Sequence, residues 1–245
     1  MRLIVDVGNS RAKVVVLDNR GTTLEERITE DITREDVEQL IERHPAIRKA
    51  IVATTRGNGA ELKALLEEHI DYVLHFDPAT TPIPIGNLYH TPKTLGADRL
   101  AAAVGVATMY PATDIMVIDF GTAITIDYVV GGAFVGGNIS PGVTTRFRAL
   151  ADYTACLPLC SATEEVLDYG ATTREAIEQG VMRGVEHEIR GYIEEFLRKN
   201  SENRIIFTGG DAKYFVERIK NAIFADCEPV LFGLTTILEY NAEEF

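Results

Sequence analysis

The segment "RLIVDVGNSRAKVVVLD" (residues 2–18) decides the fold. Two β-branched, apolar runs, 2–6 and 13–17, flank an aspartate, a glycine and an asparagine, and each run reads as a buried strand. The polar interruption is therefore a turn between two strands. Glycine in such a turn lets the chain approach an anion closely, with successive backbone N–H groups aimed at it. Gly8, Asn9 and Ser10 can cradle phosphate oxygens, and Lys13 adds a local cation. Asp6, at the strand end, suits a hydrated magnesium ion, which takes few protein carboxylates and keeps several waters. More than a hundred residues later, "MVIDFGTAITIDYVV" (116–130) repeats the pattern, with Gly121, Thr122 and Ala123 in the phosphate role and Asp119 placed to bind a cation. One such hairpin could be an ordinary tight turn. Two copies that both interrupt strong strands favour function.

Outward from the hairpins the chain alternates between strand and helix. "TREDVEQLIERH", from Thr33, has an N-cap residue and apolar Val37, Leu40 and Ile41 at helical spacing. "KAIVAT" (49–54) is a short buried strand, and "AELKALLEEHI" puts Leu62, Leu65, Leu66 and Ile70 on one stripe. Residues 76–95 hold four prolines and no periodicity, a connection long enough to be functional or disordered. "ADRLAAAVGVATMY" returns to helix, and Pro111 ends it. After the second hairpin come a Gly-rich return (131–142), a helical region, and a long helix at 173–200 with Ile177, Val181, Val185, Ile189, Ile193 and Phe196 on one side. A strand at 204–212 runs into a glycine turn, and a helix closes the chain. Each half thus opens with strand, Asp-x-Gly turn and strand, then supplies helices. The economical reading is one α/β topology used twice, as lobes 1–114 and 115–245. Asp6 and Asp119 are then equivalent by pseudo-symmetry and are expected to face each other across a cleft.

Composition narrows the function. The formal charge of −13 repels phosphate backbones, so nucleic acid is an unsuitable general partner. Nucleotide phosphates would have to be met by backbone N–H groups, a few local cations and metal ions. Cys156, Cys160 and Cys227 form an odd set without a CxxC pair, which suggests neither a disulfide framework nor a zinc site. The five histidines show no metal-ligand spacing. No apolar run is long enough to span a bilayer and the start lacks signal-peptide character, so a cytoplasmic, membrane-free protein is expected. There is no GxxxxGK[ST] phosphate loop.

Further motifs accompany the hairpin segments "DVGNSRAK" (6–13) and "IDFGTAITID" (118–127): "LGADRL" (95–100), "GGNISPG" (136–142), "GATTREAI" (170–177), "TGGDA" (208–212) and "LFGL" (231–234). In this order they resemble the type III pantothenate kinases, within the superfamily of acetate and sugar kinases, Hsp70 and actin. The resemblance implies duplicated ribonuclease-H-like lobes, as in actin-like ATPases, with ATP bound between the two turns. It implies ATP-dependent phosphorylation of the primary hydroxyl of pantothenate, the first step of coenzyme A biosynthesis. Magnesium and a monovalent cation, potassium or ammonium, are implied too, as is a homodimer with the substrate site near the subunit interface.

Residue roles follow from the matching positions. Asp6, Val7, Gly8, Asn9, Ser10, Arg11, Ala12, Lys13 and Thr122 would bind ATP, with Asp6 holding magnesium through water and Asp119 holding potassium. Tyr89, Gly96, Ala97, Asp98 and Arg99 would bind pantothenate, Thr173 would reach it from the partner subunit, and Asp98 would be the catalytic base. Gly209 and Gly210 would let the backbone pass the adenine or ribose. Chemistry agrees for Asp98, because a carboxylate can orient an alcohol and take its proton late in a loose transition state. Arg99 offers a fork of donors to an oxyanion. Each position also has an ordinary alternative: a first-turn helix acid for Asp98, loop packing for Tyr89, and a strand-to-helix turn for the glycine pair. For Thr173 the alternative is the capping box that Thr172 and Glu175 form at the same helix start. Ser10 stands where the family has threonine and keeps the hydroxyl; "GATT" replaces Gly-x-Asn-Thr and weakens the Thr173 assignment. The rival readings are another small-molecule kinase of the superfamily and a non-catalytic nucleotide-sensing regulator.

Overall fold

A computed structural model describes residues 1–220, 222–224 and 228–242. Cys227 therefore lies outside the described residues. The chain forms two compact units, Met1–Pro111 with Cys227–Phe245, and Ala112–Asp226.

In the first unit, β1 (Arg2–Val7), β2 (Ala12–Leu17) and β3 (Thr23–Thr29) form an antiparallel meander. After α1 (Arg34–Arg43), β4 (Lys49–Thr54) lies parallel to β1; after α2 (Gly59–Glu67), β5 (Tyr72–His75) lies parallel to β4. The sheet order is β3-β2-β1-β4-β5. The short strand β6 (Gly86–Asn87) and a 3₁₀ turn at Pro92–Thr94 break the proline-rich connection before α3 (Ala97–Met109). Leu3, Val5 and Val7 of β1 pack with Val37, Leu40, Leu62 and Leu66 of α1 and α2. Each such burial is worth about 1.5–3 kcal/mol.

The second unit repeats the path. Strands β7 (Ile115–Phe120), β8 (Ala123–Val130) and β9 (Ala133–Pro141) make the meander. Helices α4 (Val143–Asp152) and α5 (Thr173–Lys199) lead to β10 (Arg204–Thr208), parallel to β7. Helix α6 (Ala212–Val216) then leads to β11 (Ile223–Phe224), parallel to β10. Its strands run β11-β10-β7-β8-β9, which is the first sheet's order, strand for strand, read from the other edge. The expected α5 stripe from Ile177 to Phe196 is buried throughout, against a core that holds Phe120, Phe207 and Phe215. Phe120 meets Phe207 edge-on at 4.9 Å and stacks on Phe215 at 4.7 Å.

Two details depart from the sequence-based expectations. Residues 131–142, expected as a Gly-rich return, contain the full strand β9, with a register shift at Tyr128/Val129. The last helix, α7 (Pro229–Asn241), belongs to the first unit, whereas the sequence alone placed it in a lobe running to residue 245; the first division falls after Pro111, not residue 114. Helix α7 crosses α3 at two glycines. A Cβ on Gly233 would collide with the Ala101 carbonyl, and one on Gly105 with the Pro229 carbonyl. No helix among the described residues is long and apolar enough to cross a membrane.

Candidate active site

The first hairpin folds as its residues dictate. Asp6 and Lys13 are register partners, as are Val7 and Ala12, and the Gly8 N–H donates to the Arg11 carbonyl at 3.0 Å to close the turn. Asp6 is half-buried at the strand end, while Asn9, Ser10 and Arg11 are exposed and Ala12 is buried. Lys13 is held between two carboxylates, Glu26 at 3.0 Å and Glu228. Burial pulls its pKa down, but hydrogen bonds and charge from Glu228 and Glu26 outweigh that and leave it raised. The Lys13 ammonium is thus already paired with carboxylates, which its place in the sequence did not reveal. A second cation reaches the turn from β4's far end: Arg56 donates Nε–H to the Gly8 carbonyl at 2.8 Å.

The expected substrate residues gather at the start of α3. Gly96 is the N-cap, and a Cβ there would strike the Asp98 carboxylate. Asp98 Oδ1 accepts the Arg99 N–H at 2.8 Å, so the half-buried carboxylate leans over the helix N-terminus, whose dipole favours it. The first-turn role and a chemical role are therefore compatible. Arg99 is only 7% exposed, and its guanidinium lies 5.8 Å from the Tyr89 ring centroid. Tyr89 is set by its own N–H, donated to Asn87 Oδ1 at 3.1 Å. The Arg99 guanidinium and the Tyr89 ring are thus neighbours, the Asp98 carboxylate stands on the same first turn, and Ala97 beside it is buried.

In the second unit Asp119 sits one residue from the end of β7, opposite Thr125 on β8 and Thr208 on β10. The Gly121 N–H donates to the Ala123 carbonyl at 3.2 Å. The Thr122 carbonyl accepts from the Gly142 N–H at 3.0 Å and from the Thr145 hydroxyl at 2.7 Å, tying the turn to the start of α4. Any Cβ on Gly142 would collide with the Gly121 and Thr122 carbonyls. Gly209, at φ +93°, comes so close that a Cβ would strike the Asp119 carboxylate and lie 2.6 Å from the Phe120 nitrogen. Gly210 faces open space instead. The Asp211 N–H bonds the Phe120 carbonyl at 3.2 Å, and burial pushes its carboxyl pKa up. Asp119, Thr122, Gly142, Gly209 and Asp211 therefore converge at the C-terminal ends of parallel β7 and β10, where open α/β sheets bind ligands. Gly142 and Asp211 carried no individual signal in the sequence beyond membership of "GGNISPG" and "TGGDA".

Thr173 opens α5 and is exposed; the capping box belongs to Thr172 and Glu175, so Thr173 is not consumed by it. Among the described residues no group of three or more His, Cys, Asp or Glu side chains is placed to hold a metal ion. One half-buried carboxylate beside each glycine turn, Asp6 or Asp119, fits an ion that completes its shell with water and phosphate oxygens.

Two copies of one five-stranded topology, each with an acidic strand end bent at glycine, define the duplicated ribonuclease-H-like class of actin-like ATPases and sugar kinases. A solved structure of this fold, the activator of the 2-hydroxyisocaproyl-CoA dehydratase from Clostridium difficile with bound ADPNP, superposes with a TM-score of 0.54 at 16% identity, covering 99% of this chain and 94% of its own. The family profile for type III pantothenate kinase matches residues 2–195. The chain belongs to the type III pantothenate kinase family. The type III pantothenate kinase of Phocaeicola vulgatus is 40% identical over 242 residues, covering 98% of this chain and 99% of its own. That of Bacteroides fragilis is 42% identical over 242 residues, covering 98% of each.

Proposed function

We propose that the protein transfers the γ-phosphoryl group of ATP to the primary hydroxyl of pantothenate, giving 4'-phosphopantothenate at the first step of coenzyme A biosynthesis. The family match supports the reaction, and one geometric observation carries its chemistry: Asp98, Arg99 and Tyr89 lie together at the start of α3. The alcohol oxygen attacks the γ-phosphorus, the bond to the ADP oxygen breaks, and Asp98 orients the hydroxyl and takes its proton late. Arg99 offers its fork to the substrate carboxylate or the moving phosphoryl group, and Tyr89, Gly96 and Ala97 shape the pantothenate side. Asp6 to Lys13 and Thr122 bind the nucleotide, chiefly through N–H groups of the glycine turns.

Magnesium held through water by Asp6, and potassium or ammonium at Asp119, would neutralise phosphate charge that a chain of net charge −13 otherwise repels. Residues 1–114 and 115–245 are the two ancestral repeats, with α7 docked back on the first. The working form is a cytoplasmic homodimer in which exposed Thr173 of one subunit meets the pantothenate of the other.

Turnover of pantothenate with ATP and magnesium, followed by mass spectrometry of the product, tests the reading. Product gains one phosphoryl group, and exchanging potassium for sodium lowers the rate. Absence of phosphorylated pantothenate, while another small alcohol or sugar is phosphorylated, would overturn it.

A further inference from the structure

Arg56 has no part in the motifs above, yet its guanidinium reaches the first glycine turn. The Thr54 hydroxyl accepts the Arg56 backbone N–H at 3.0 Å and donates to Asn58 Oδ1 at 2.9 Å, which fixes the reversal from β4 into α2. From that fixed backbone the guanidinium bridges two other segments. Its Nε–H donates to the Gly8 carbonyl at 2.8 Å, and its Nη1 donates to the Glu30 carbonyl just beyond β3 at 2.7 Å. The side chain is 26% exposed, and the Asp31 carboxylate stands 3.9 Å away. Next to it, the Thr55 N–H bonds the Val7 carbonyl at 2.9 Å.

The Gly8 carbonyl and the Asn9 N–H are the two ends of one peptide unit. A cationic donor on the carbonyl polarises that unit and strengthens the N–H at its other end as a donor. Asn9 is exposed, and among the described residues its N–H has no partner. Lys13, the cation the sequence puts beside the turn, is spent on Glu26 and Glu228.

We propose that Arg56 is a positioning residue for ATP: its guanidinium locks the Gly8 peptide so that the Asn9 N–H meets a phosphate oxygen, and it supplies the positive charge that Lys13 gives to its carboxylates. This rests on the nucleotide site proposed above and adds a residue to it.

The test compares ATP affinity by calorimetry with steady-state kinetics in wild type, Arg56→Gln, Arg56→Lys and, as a surface-charge control, Arg34→Gln, whose partner is Glu68. Arg56→Gln should weaken ATP binding and raise KM for ATP about tenfold, the worth of one charge-assisted hydrogen bond, with KM for pantothenate unchanged. Arg56→Lys keeps the charge without the fork and should lose about threefold. Arg34→Gln should match wild type. Arg56→Gln within twofold of wild-type ATP affinity overturns the proposal, as does a rise in both KM values together with a lowered Tm. If Arg56→Gln does not fold, Arg56→Lys decides by the same ATP criterion. ATP binding is read without turnover, so a wild-type protein that binds ATP but leaves pantothenate untouched removes the proposed reaction and not this role. A wild-type protein that does not bind ATP removes both.

Discussion

At the scale of single residues, Asp98 has one observed role and one proposed role. It caps the first turn of α3 through the Arg99 N–H, and that bond fixes its direction. Asparagine in its place keeps a cap but cannot accept the alcohol proton. Asp98→Asn is therefore expected to lower kcat by about 10²–10⁴-fold, with ATP affinity by calorimetry unchanged. Asp211 makes the opposite trade. Burial raises its carboxyl pKa, so the ionised form is penalised in the folded state and stability falls as pH rises through the carboxylate range. Asp211→Asn should raise Tm at neutral pH, and the gain should disappear once acid protonates the wild-type group. An Asp211→Asn protein with unchanged Tm at neutral pH would refute this. Both aspartates stand in segments quoted from the sequence, but neither the Arg99 bond nor the burial of Asp211 could be read there, because both depend on neighbours placed by the fold.

At the scale of elements, the crossing of α3 and α7 decides where the last helix goes. Each helix contributes a glycine where the partner's backbone passes, Gly105 and Gly233, and no larger side chain fits. Gly233→Ala must push α7 off α3 and should cost on the order of 1–3 kcal/mol in denaturant unfolding. An alanine variant as stable as wild type would show that the helices can part without loss. The hairpins, by contrast, were legible because β-branched runs on both sides of Asp-x-Gly leave few alternatives. β3 and β5 were not: β3 is an edge strand whose residues are mostly exposed and polar, and β5 has four residues. β9 hid behind its glycines, which read as turn residues although Gly136, at φ +129°, and Gly137 pair with Tyr128 and Asp127 of β8.

At the scale of the whole molecule, one sheet topology occurs twice, and the acid–glycine turn recurs at the same strand in each. The proposed assembly adds a further level, since Thr173 would complete a partner's site. Mixing Asp98→Asn subunits with Thr173→Ala subunits tests that. Each variant alone is impaired at low pantothenate, whereas a mixed dimer holds one site with both wild-type residues, so the mixture should recover activity. A mixture no better than the average of its parts would mean that Thr173 serves its own subunit or none.

The residues themselves determined the duplicated hairpins, the helical stripes and the Gly96–Arg99 segment, because alternation, helical period and glycine turns are local and survive in one dimension. Tertiary structure alone decided that Lys13 is bound by Glu26 and Glu228, that Arg56 reaches the Gly8 carbonyl, and that α7 returns to the first unit. Those facts join residues from 13 (Lys13 and Glu26) to 215 (Lys13 and Glu228) positions apart, and such contacts are set by how whole elements pack, not by the propensity of any stretch of chain.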